Sequence, residues 1–256
     1  MAEHRHEDEI IRVRGLTAAY GGKPVLKDID FRVRRGEVFV ILGGSGSGKS
    51  TLLKHIIGLH APVSGEILID GEDMVSADEA AHRRILSKIG VSYQSGALFG
   101  SMTVRENIRL PMEEFTRLPR EAMDFIIEIK LALVGLAGTG GLMPAELSGG
   151  MQKRAAIARA LALDPKIVFL DEPSAGLDPI TSAELDQLIL RLRDSLGITF
   201  VVVTHELPSI YTIADRVVML SRETKSIVAE GHPRELRDNS DNEWVRRFFK
   251  REAEQT

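Results

Sequence analysis

A glycine-rich loop of nine residues, from Gly43 to Thr51, constrains this chain more than any other stretch. It fits the pattern G-x-x-x-x-G-K-[ST]. Glycine has no Cβ, so backbone N–H groups in such a loop can turn inward and approach a phosphate closely. The apolar run at 38–42 predicts a buried strand before the loop, and apolar residues at helical spacing predict a helix after it. This setting favours a phosphate site over the alternative, a flexible Gly/Ser turn that contains a lysine.

Every residue of the loop is a candidate for contact with a triphosphate: Gly43, Gly44, Ser45, Gly46, Ser47, Gly48, Lys49, Ser50 and Thr51. Lys49 supplies a point charge for the β and γ phosphates. Ser50 opens the following helix, so its hydroxyl can bind Mg²⁺ while the positive end of the helix faces the phosphates. Thr51 is placed to support the α phosphate.

Composition excludes several classes of protein. The 256 residues are 43% hydrophobic, which is ample for a buried core, and there is no cysteine for disulfides or thiolate metal sites. A net charge of -4 gives no electrostatic footprint for nucleic acid, so no nucleic-acid partner is expected. No run approaches the ~18 apolar residues of a membrane span, and the acidic start is not typical of a signal peptide. We expect a cytoplasmic chain.

Predicted strands alternate with predicted helices along the chain, which argues for a mainly parallel sheet. Strands are predicted at 10–16, 29–33, 65–69, 89–93, 166–172 and 198–204, and helices at 77–87, 120–134, 151–163 and 181–196. Ligands of such sheets sit at the carboxyl ends of the strands. The glycine loop, Gln94, Asp171, Glu172 and His205 all follow predicted strands, and this convergence predicts one site.

The acids at the end of the 166–172 strand are candidates for catalysis. If the strand geometry persists, Asp171 and Glu172 point to opposite sides and have different roles. Asp171 is a hard oxygen ligand for Mg²⁺, directly or through a water. Glu172 could orient or deprotonate the water that attacks the γ phosphate, with His205 stabilising charge on that phosphate. The alternative for the pair is a solvated turn or a helix cap.

The stretch Leu147-Ser148-Gly149-Gly150-Met151-Gln152 resembles the signature of ATP-binding-cassette (ABC) ATPases, and the other motifs follow in that family's order. The resemblance implies that Tyr20 stacks on adenine and that Gln94 senses the γ phosphate and Mg²⁺. It also implies that Asp178 lies in the segment that links two sites. Met151 stands where many members carry glutamine, but the serine and both glycines are retained.

The resemblance, over roughly residues 10 to 232, implies an α/β fold: a P-loop NTPase of ABC type, with a mainly parallel sheet core, an antiparallel β subdomain and an inserted helical lobe. We expect a disordered tail at 1–9, in which His4 and His6 could alternatively bind a metal. The ATPase domain would span 10–235, with the lobe at about 96–164, and a C-terminal helical extension would span 236–256. The cofactors implied are ATP and Mg²⁺.

In this family two ATPase domains dimerise head to tail, and each ATP lies between one chain's phosphate loop and the other chain's Ser148-Gly149-Gly150. The chain would act on a membrane permease that docks near Gln94, at the cytoplasmic face of the inner membrane. The stretches 93–99, 102–108 and 142–151 look like Mla-type and Mce-type lipid-transport ATPases, which implies an Mce-type lipid-binding subunit. The alternatives are an importer or exporter of amino acids or ions, and a cassette ATPase outside transport.

The C-terminal stretch 242–250 places Trp244, Val245, Phe248 and Phe249 on one side of a possible helix. That side either covers the chain's own core or grips a neighbouring ATPase chain or an accessory protein.

Overall fold

The computed structural model of the chain describes residues 8–94 and 96–252. The proposed tail metal ligands, His4 and His6, lie outside these residues, as does most of the predicted tail. Glu9 was assigned to that tail, but it starts the first strand and its carboxylate pairs with Arg12 and, at 2.8 Å, with Arg32.

Strands and helices alternate over most of the described chain. In order they are β1 (Glu9–Tyr20), β2 (Lys23–Arg34), β3 (Val38–Gly43), α1 (Lys49–Ile56), β4 (Ser64–Ile69), β5 (Glu72–Asp73), α2 (Glu79–Ser87), β6 (Ile89–Ser92), α3 (Val104–Phe115), α4 (Arg120–Leu133), α5 (Gly149–Ala160), β7 (Ile167–Asp171), α6 (Pro179–Leu196), β8 (Thr199–Val203), α7 (Leu207–Ile213), β9 (Arg216–Leu220), β10 (Ile227–Gly231), α8 (Pro233–Asn239) and α9 (Glu243–Lys250). A 3-10 turn at Pro144–Glu146 precedes α5.

The chain divides into two compact units. Unit 1 combines the residues up to Ile85 with those from Val201 onward, and unit 2 runs from Leu86 to Phe200. A six-stranded sheet has the order β10-β9-β3-β8-β7-β6, and β8 passes from unit 2 into unit 1. Its pairs β3 with β9 and β6 with β7 are parallel, whereas β10 runs antiparallel to β9. A mainly parallel core was predicted, and the sheet confirms it.

Unit 1 also holds an antiparallel sheet in the order β2-β1-β4-β5. Its strands alternate buried apolar and exposed residues, the pattern of a sheet with one face on a core. Val13 pairs with Phe31, whose ring stacks on Phe39 of β3 with centroids 5.3 Å apart. The antiparallel β subdomain that the resemblance implied is therefore present, and it packs on β3, the strand that leads into the phosphate loop.

In unit 2, α3, α4 and α5 bury apolar residues at helical spacing, among them Ile108, Met112, Ile127 and Leu131. Helix α5 approaches β6 so closely that a Cβ on Gly90 would lie 2.1 Å from the Ala160 carbonyl oxygen. Only glycine fits at that position, so the close packing of α5 on β6 depends on Gly90.

The loop before α3 is built around one buried amide. The Asn107 side chain donates to the carbonyl oxygens of Phe99, Met102 and Thr103 and accepts from the Phe99 N–H. Thr103 caps α3 in a capping box with Glu106. These bonds use both donors of a fully buried amide and one of its two acceptor positions, and they fix the loop at 99–103.

Several element bounds differ from those predicted, for reasons of capping. Helix α5 begins at Gly149, two residues before the predicted start, because Ser148 caps it, and it ends at Ala160, well before Pro165. Helix α8 crosses the predicted domain boundary at residue 235.

Within residues 8–94 and 96–252, no helix is both long enough and apolar enough to cross a membrane.

Candidate nucleotide site

Two glycines of the phosphate loop leave no room for a side chain. A Cβ on Gly43 would lie 2.5 Å from the Leu220 carbonyl oxygen, and one on Gly48 would lie 2.7 Å from the Leu26 side chain. Gly46 and Gly48 have φ of 75° and 98°, in the region that disfavours L side chains. The fully buried strand β3 holds the start of this loop in place.

Helix α1 begins within the nine-residue motif. Gly48 is its N-cap, so the helix starts at Lys49, one residue before the predicted Ser50, and its first turn carries no acidic residue. The Lys49 ammonium donates to the carbonyl oxygens of Gly43 at 2.9 Å and Gly44 at 3.2 Å. This lysine therefore lies across the loop beside the positive end of the helix.

This donor set fits a polyphosphate. The backbone N–H groups at the start of α1, the helix dipole and the ammonium all favour an anion, and the glycines leave space where side chains would stand. Ser50 is exposed on the first turn, with its hydroxyl available as a hard oxygen ligand.

Tyr20 ends β1 and is 47% exposed, as a platform for a flat ligand must be. Its ring meets His60 edge to face, with centroids 6.0 Å apart, and His60 lies 5.9 Å from the buried His55. Sequence reasoning missed His60, because nothing in the spacing of the two residues indicates that it supports the tyrosine.

His205 follows β8 and is exposed. The preceding residue, Thr204, is buried, and its N–H donates to the Ile41 carbonyl of β3 at 3.3 Å. Because Ile41 lies two residues before Gly43, unit 1 brings His205 to the same edge of the sheet as the phosphate loop.

In unit 2, Gln94 and Asp171 line one open cavity of about 540 Å³ with Tyr93, Ala175 and Gly176. Burial raises the pKa of the Tyr93 hydroxyl, and the negative charge of Asp171 raises it further. Amide and carboxylate oxygens are ligands that Mg²⁺ accepts. The predicted Mg²⁺ ligands of this unit therefore lie together. Among the described residues no three His, Cys, Asp or Glu side chains cluster as a metal site.

The backbone at Glu172 differs from the extended strand on which its predicted direction depended. Strand β7 ends at Asp171, and Glu172 has φ of 46°, so the extended geometry that would point the two acids to opposite sides does not persist. Glu172 is 9% exposed, and its carbonyl accepts from the Ala175 N–H at 3.2 Å. A buried carboxylate on a non-glycine residue at positive φ marks a strained turn, which is common at functional sites.

The start of α5 presents the predicted signature. The Ser148 hydroxyl accepts from the Met151 N–H at 3.3 Å, and Gly149 and Gly150 form the first turn. A Cβ on Gly150 would lie 2.6 Å from the Thr181 side chain, so this glycine is also required for packing against the segment that begins α6.

Asp178 is the N-cap of α6. Its carboxylate accepts from the N–H groups of Ile180 and Thr181 and from the Thr181 hydroxyl. The bond from that hydroxyl, followed by the bonds from the backbone, holds the pKa of Asp178 below its ordinary value. The position thus has a structural role in addition to the linking role that the resemblance implied.

Gln152, the residue after the departure at Met151, binds the backbone of the turn before α5. Its side-chain amide donates to the carbonyl oxygens of Pro144 at 3.0 Å and Leu147 at 3.2 Å, which fixes the 3-10 turn that leads into Ser148. Sequence reasoning could not assign this role, because the acceptors are backbone atoms and carry no residue signal.

The fold and the site residues define the ATP-binding cassette of the ABC transporters. The ABC transporter family model matches residues 26–175, more than half of the chain, and the chain belongs to this family. It is an ABC ATPase, a member of the class whose hydrolysis of ATP drives transport.

Relatives with curated names are similar over most of this chain. The chain is 41% identical over 240 residues to the "Intermembrane phospholipid transport system ATP-binding protein MlaF" of Escherichia coli, covering 94% of this chain and 88% of that protein. It is 43% identical over 239 residues to the "Probable ribonucleotide transport ATP-binding protein mkl" of Mycobacterium tuberculosis, covering 93% of this chain. The chain spans 66% of the mkl protein, slightly less than two thirds of its length.

Solved structures share the fold. CbiO1 of Clostridium perfringens, part of the ABC transporter complex cbiONQ, is 31% identical with a TM-score of 0.82, covering 91% of this chain and 92% of that one. A dimeric ATP-binding cassette in a post-hydrolysis state, bound to ADP and Pi, is 32% identical with a TM-score of 0.78, covering 87% and 98%.

Proposed function

We propose that this chain is the ATP-hydrolysing subunit of a membrane transporter that moves phospholipid. The similarity to MlaF carries the proposal, because it extends over 94% of this chain and 88% of a protein named for phospholipid transport. The glycine cradle and the cation at the start of α1 support the same assignment, because they fit a nucleotide triphosphate.

In this proposal the loop from Gly43 to Thr51 holds the phosphates and Tyr20 stacks on adenine. Glu172 takes the proton of the attacking water, and His205 stabilises the charge on the γ phosphate. Ser50, Gln94 and Asp171 hold Mg²⁺. Mg²⁺ held there would offset the negative charge of the phosphates.

The chain acts as a head-to-tail dimer of two copies. Ser148, Gly149 and Gly150 at the start of α5 contact the ATP held by the other chain, because free N–H groups at a helix N-terminus bind phosphate. ATP then favours the closed dimer and hydrolysis favours the open one. The dimeric cassette among the solved structures, at 32% identity, supports this assembly.

The dimer passes its motion to an integral membrane permease, at the cytoplasmic face of the inner membrane. An Mce-type lipid-binding subunit and accessory proteins complete the transporter. The domain layout, with an ATPase domain at 10–235, a lobe at about 96–164 and a C-terminal extension, belongs to the same proposal.

A second cargo class has one observation in its favour. The mkl protein, 43% identical to this chain, is named for ribonucleotide transport. The catalytic residues would be the same for either cargo, because the cargo does not touch this chain in the proposed architecture. The proteins that assemble with this chain would distinguish the two cargo classes.

The test is to tag the chain in its native cell, extract membranes with mild detergent and identify every co-purifying protein and lipid by mass spectrometry. We expect a multi-span permease, an Mce-type subunit and enriched phospholipid. Recovery of a permease with a solute-binding protein and no lipid would contradict phospholipid as the cargo. A set of partners without any membrane protein would overturn the transporter assignment.

A further inference from the structure

Lys153 of α5 connects two backbone segments of unit 2 that carry proposed site residues. Its ammonium donates to the carbonyl oxygen of Gln94 and lies 3.4 Å from the carbonyl oxygen of Glu172. Lysine carries three donors on a flexible stem, so one side chain can serve both acceptors. Hydrogen bonds from a charged donor are stronger than those between neutral groups.

The two carbonyls lie at equivalent places beyond neighbouring strands. Strands β6 and β7 are parallel, and their last registered pair is Ser92 with Leu170. Gln94 and Glu172 each lie two residues beyond that pair, past the end of the described ladder. Lys153 therefore supplies a shared contact at the point where the two segments leave the sheet.

The same helix holds the Gln94 loop at a second point. The Arg159 guanidinium donates to the carbonyl oxygens of Ala97 at 2.7 Å and Gly96 at 3.1 Å, and burial lowers its pKa. A Cβ on Gly96 would meet Ala156 of α5 at 3.6 Å, so this part of the loop lies directly on the helix. With two cations on one helix, the loop after β6 follows the position of α5.

We propose that Lys153 is a positioning residue that fixes Gln94 and Glu172 to α5, the helix whose first turn carries Ser148, Gly149 and Gly150. This inference rests on the proposed function. A nucleotide that contacts the start of α5 then influences the sensor and the base of the chain's own site through one side chain. Both acceptors in this contact are backbone carbonyl oxygens, so the lysine sets where the two backbones lie.

The test compares the full-length chain with Lys153→Met, which keeps the apolar stem and removes every donor. We expect kcat for ATP to fall about tenfold, which corresponds to about 1.4 kcal/mol. The KM and the affinity for ATP should stay within about twofold, because the phosphate loop in unit 1 is unchanged. Lys153→Arg keeps the charge and the donors and should restore most of the rate. Lys153→Gln is the second variant if methionine impairs folding.

Arg191→Gln is the control, since it also removes one positive charge from unit 2, at an exposed position of α6. It should hydrolyse ATP like the wild type. A wild-type kcat in both Lys153→Met and Lys153→Gln would overturn the role of Lys153 but not the proposed function. A kcat that stays low in Lys153→Arg would do the same. A wild-type chain that does not hydrolyse ATP would overturn the proposed function, and the inference with it.

Discussion

Gly43 and Gly44 are neighbours in the phosphate loop, but only Gly43 lacks space for a side chain. Gly43 has φ of 152° and its added Cβ would lie 2.5 Å from a backbone carbonyl oxygen, whereas an added Cβ on Gly44 would meet nothing within 4 Å. The sequence pattern marks Gly43 as a fixed position but does not show what it would clash with.

We therefore expect Gly43→Ala to lower the free energy of unfolding by about 2–4 kcal/mol, because the strand or the loop must shift to relieve the clash. Gly44→Ala is the matched control and should change it by less than about 0.5 kcal/mol. Urea denaturation of both variants measures the difference. Equal losses of stability in the two variants would contradict the role assigned to Gly43.

Residue types were predictable at the site, but their local geometry was not. The glycine loop, Asp171, Glu172 and His205 were predicted from their positions after strands, where ligands of parallel sheets sit, and their roles stay predictions. The left-handed turn at Glu172 and the contacts of Gln152 and Lys153 were not found, since they depend on backbone atoms that any residue carries.

At the scale of elements, Asp178 caps a helix in addition to the linking role that the resemblance implied. As the N-cap of α6, its carboxylate accepts bonds from two backbone N–H groups and the Thr181 hydroxyl, which lower its pKa below the ordinary 3.8. A depressed folded pKa means that the stabilisation is complete above the unfolded value and is lost as the pH falls through the folded value.

We expect Asp178→Ala to lower the Tm at neutral pH, with the difference from wild type shrinking below pH 3.8 as the wild-type carboxylate is protonated. Asp178→Asn should keep most of the Tm at neutral pH, because asparagine also caps helices. Thermal unfolding by circular dichroism across pH measures both. A difference that does not change with pH would contradict the cap, and lost ATPase activity in a thermally stable Asn variant would show a role beyond it.

The sequence left open whether the apolar side of helix α9 covers the chain's own core or binds a partner. Val245 and Phe249 are buried, and the Tyr211 hydroxyl donates to the Phe249 carbonyl at 2.9 Å, so one edge of the apolar side packs on unit 1. Trp244 and Phe248 are half-buried. Val245 and Phe249 therefore pack within the chain, and Trp244 and Phe248 remain candidates for contact with a partner.

Val245→Ala should therefore lower the free energy of unfolding by about 2 kcal/mol, because two buried methyl groups are removed. Trp244→Ala should cost less in stability but reduce recovery of the dimer or of the transporter complex from membranes. Chemical denaturation and co-purification measure the two effects. Full recovery of the complex with Trp244→Ala would limit this helix to packing within its own chain.

At the scale of the whole molecule, the alternation of strands and helices was enough to predict a mainly parallel sheet, and the ordered motifs were enough to predict the family. The starts of α1, α5 and α6 moved by one or two residues, because a cap such as Ser148 or Asp178 sets the start of each helix. Partners and cargo do not follow from the fold, because the residues that hold ATP are the same whatever is transported.

In the proposed function, two copies of this chain close on ATP, and Glu172 is the base that lets them open. Glu172→Gln removes the base while keeping size and hydrogen-bonding groups, and Glu128→Gln, at an exposed position of α4, is the control. The deciding measurement is the mass of each chain with ATP by light scattering after gel filtration, alongside its ATPase rate.

We expect Glu172→Gln to bind ATP, to hydrolyse it at least about 100-fold more slowly and to elute as a stable dimer. The wild type and Glu128→Gln should hydrolyse ATP and return to monomers. A Glu172→Gln variant that hydrolyses ATP at the wild-type rate, or that binds ATP as a monomer only, would contradict the account.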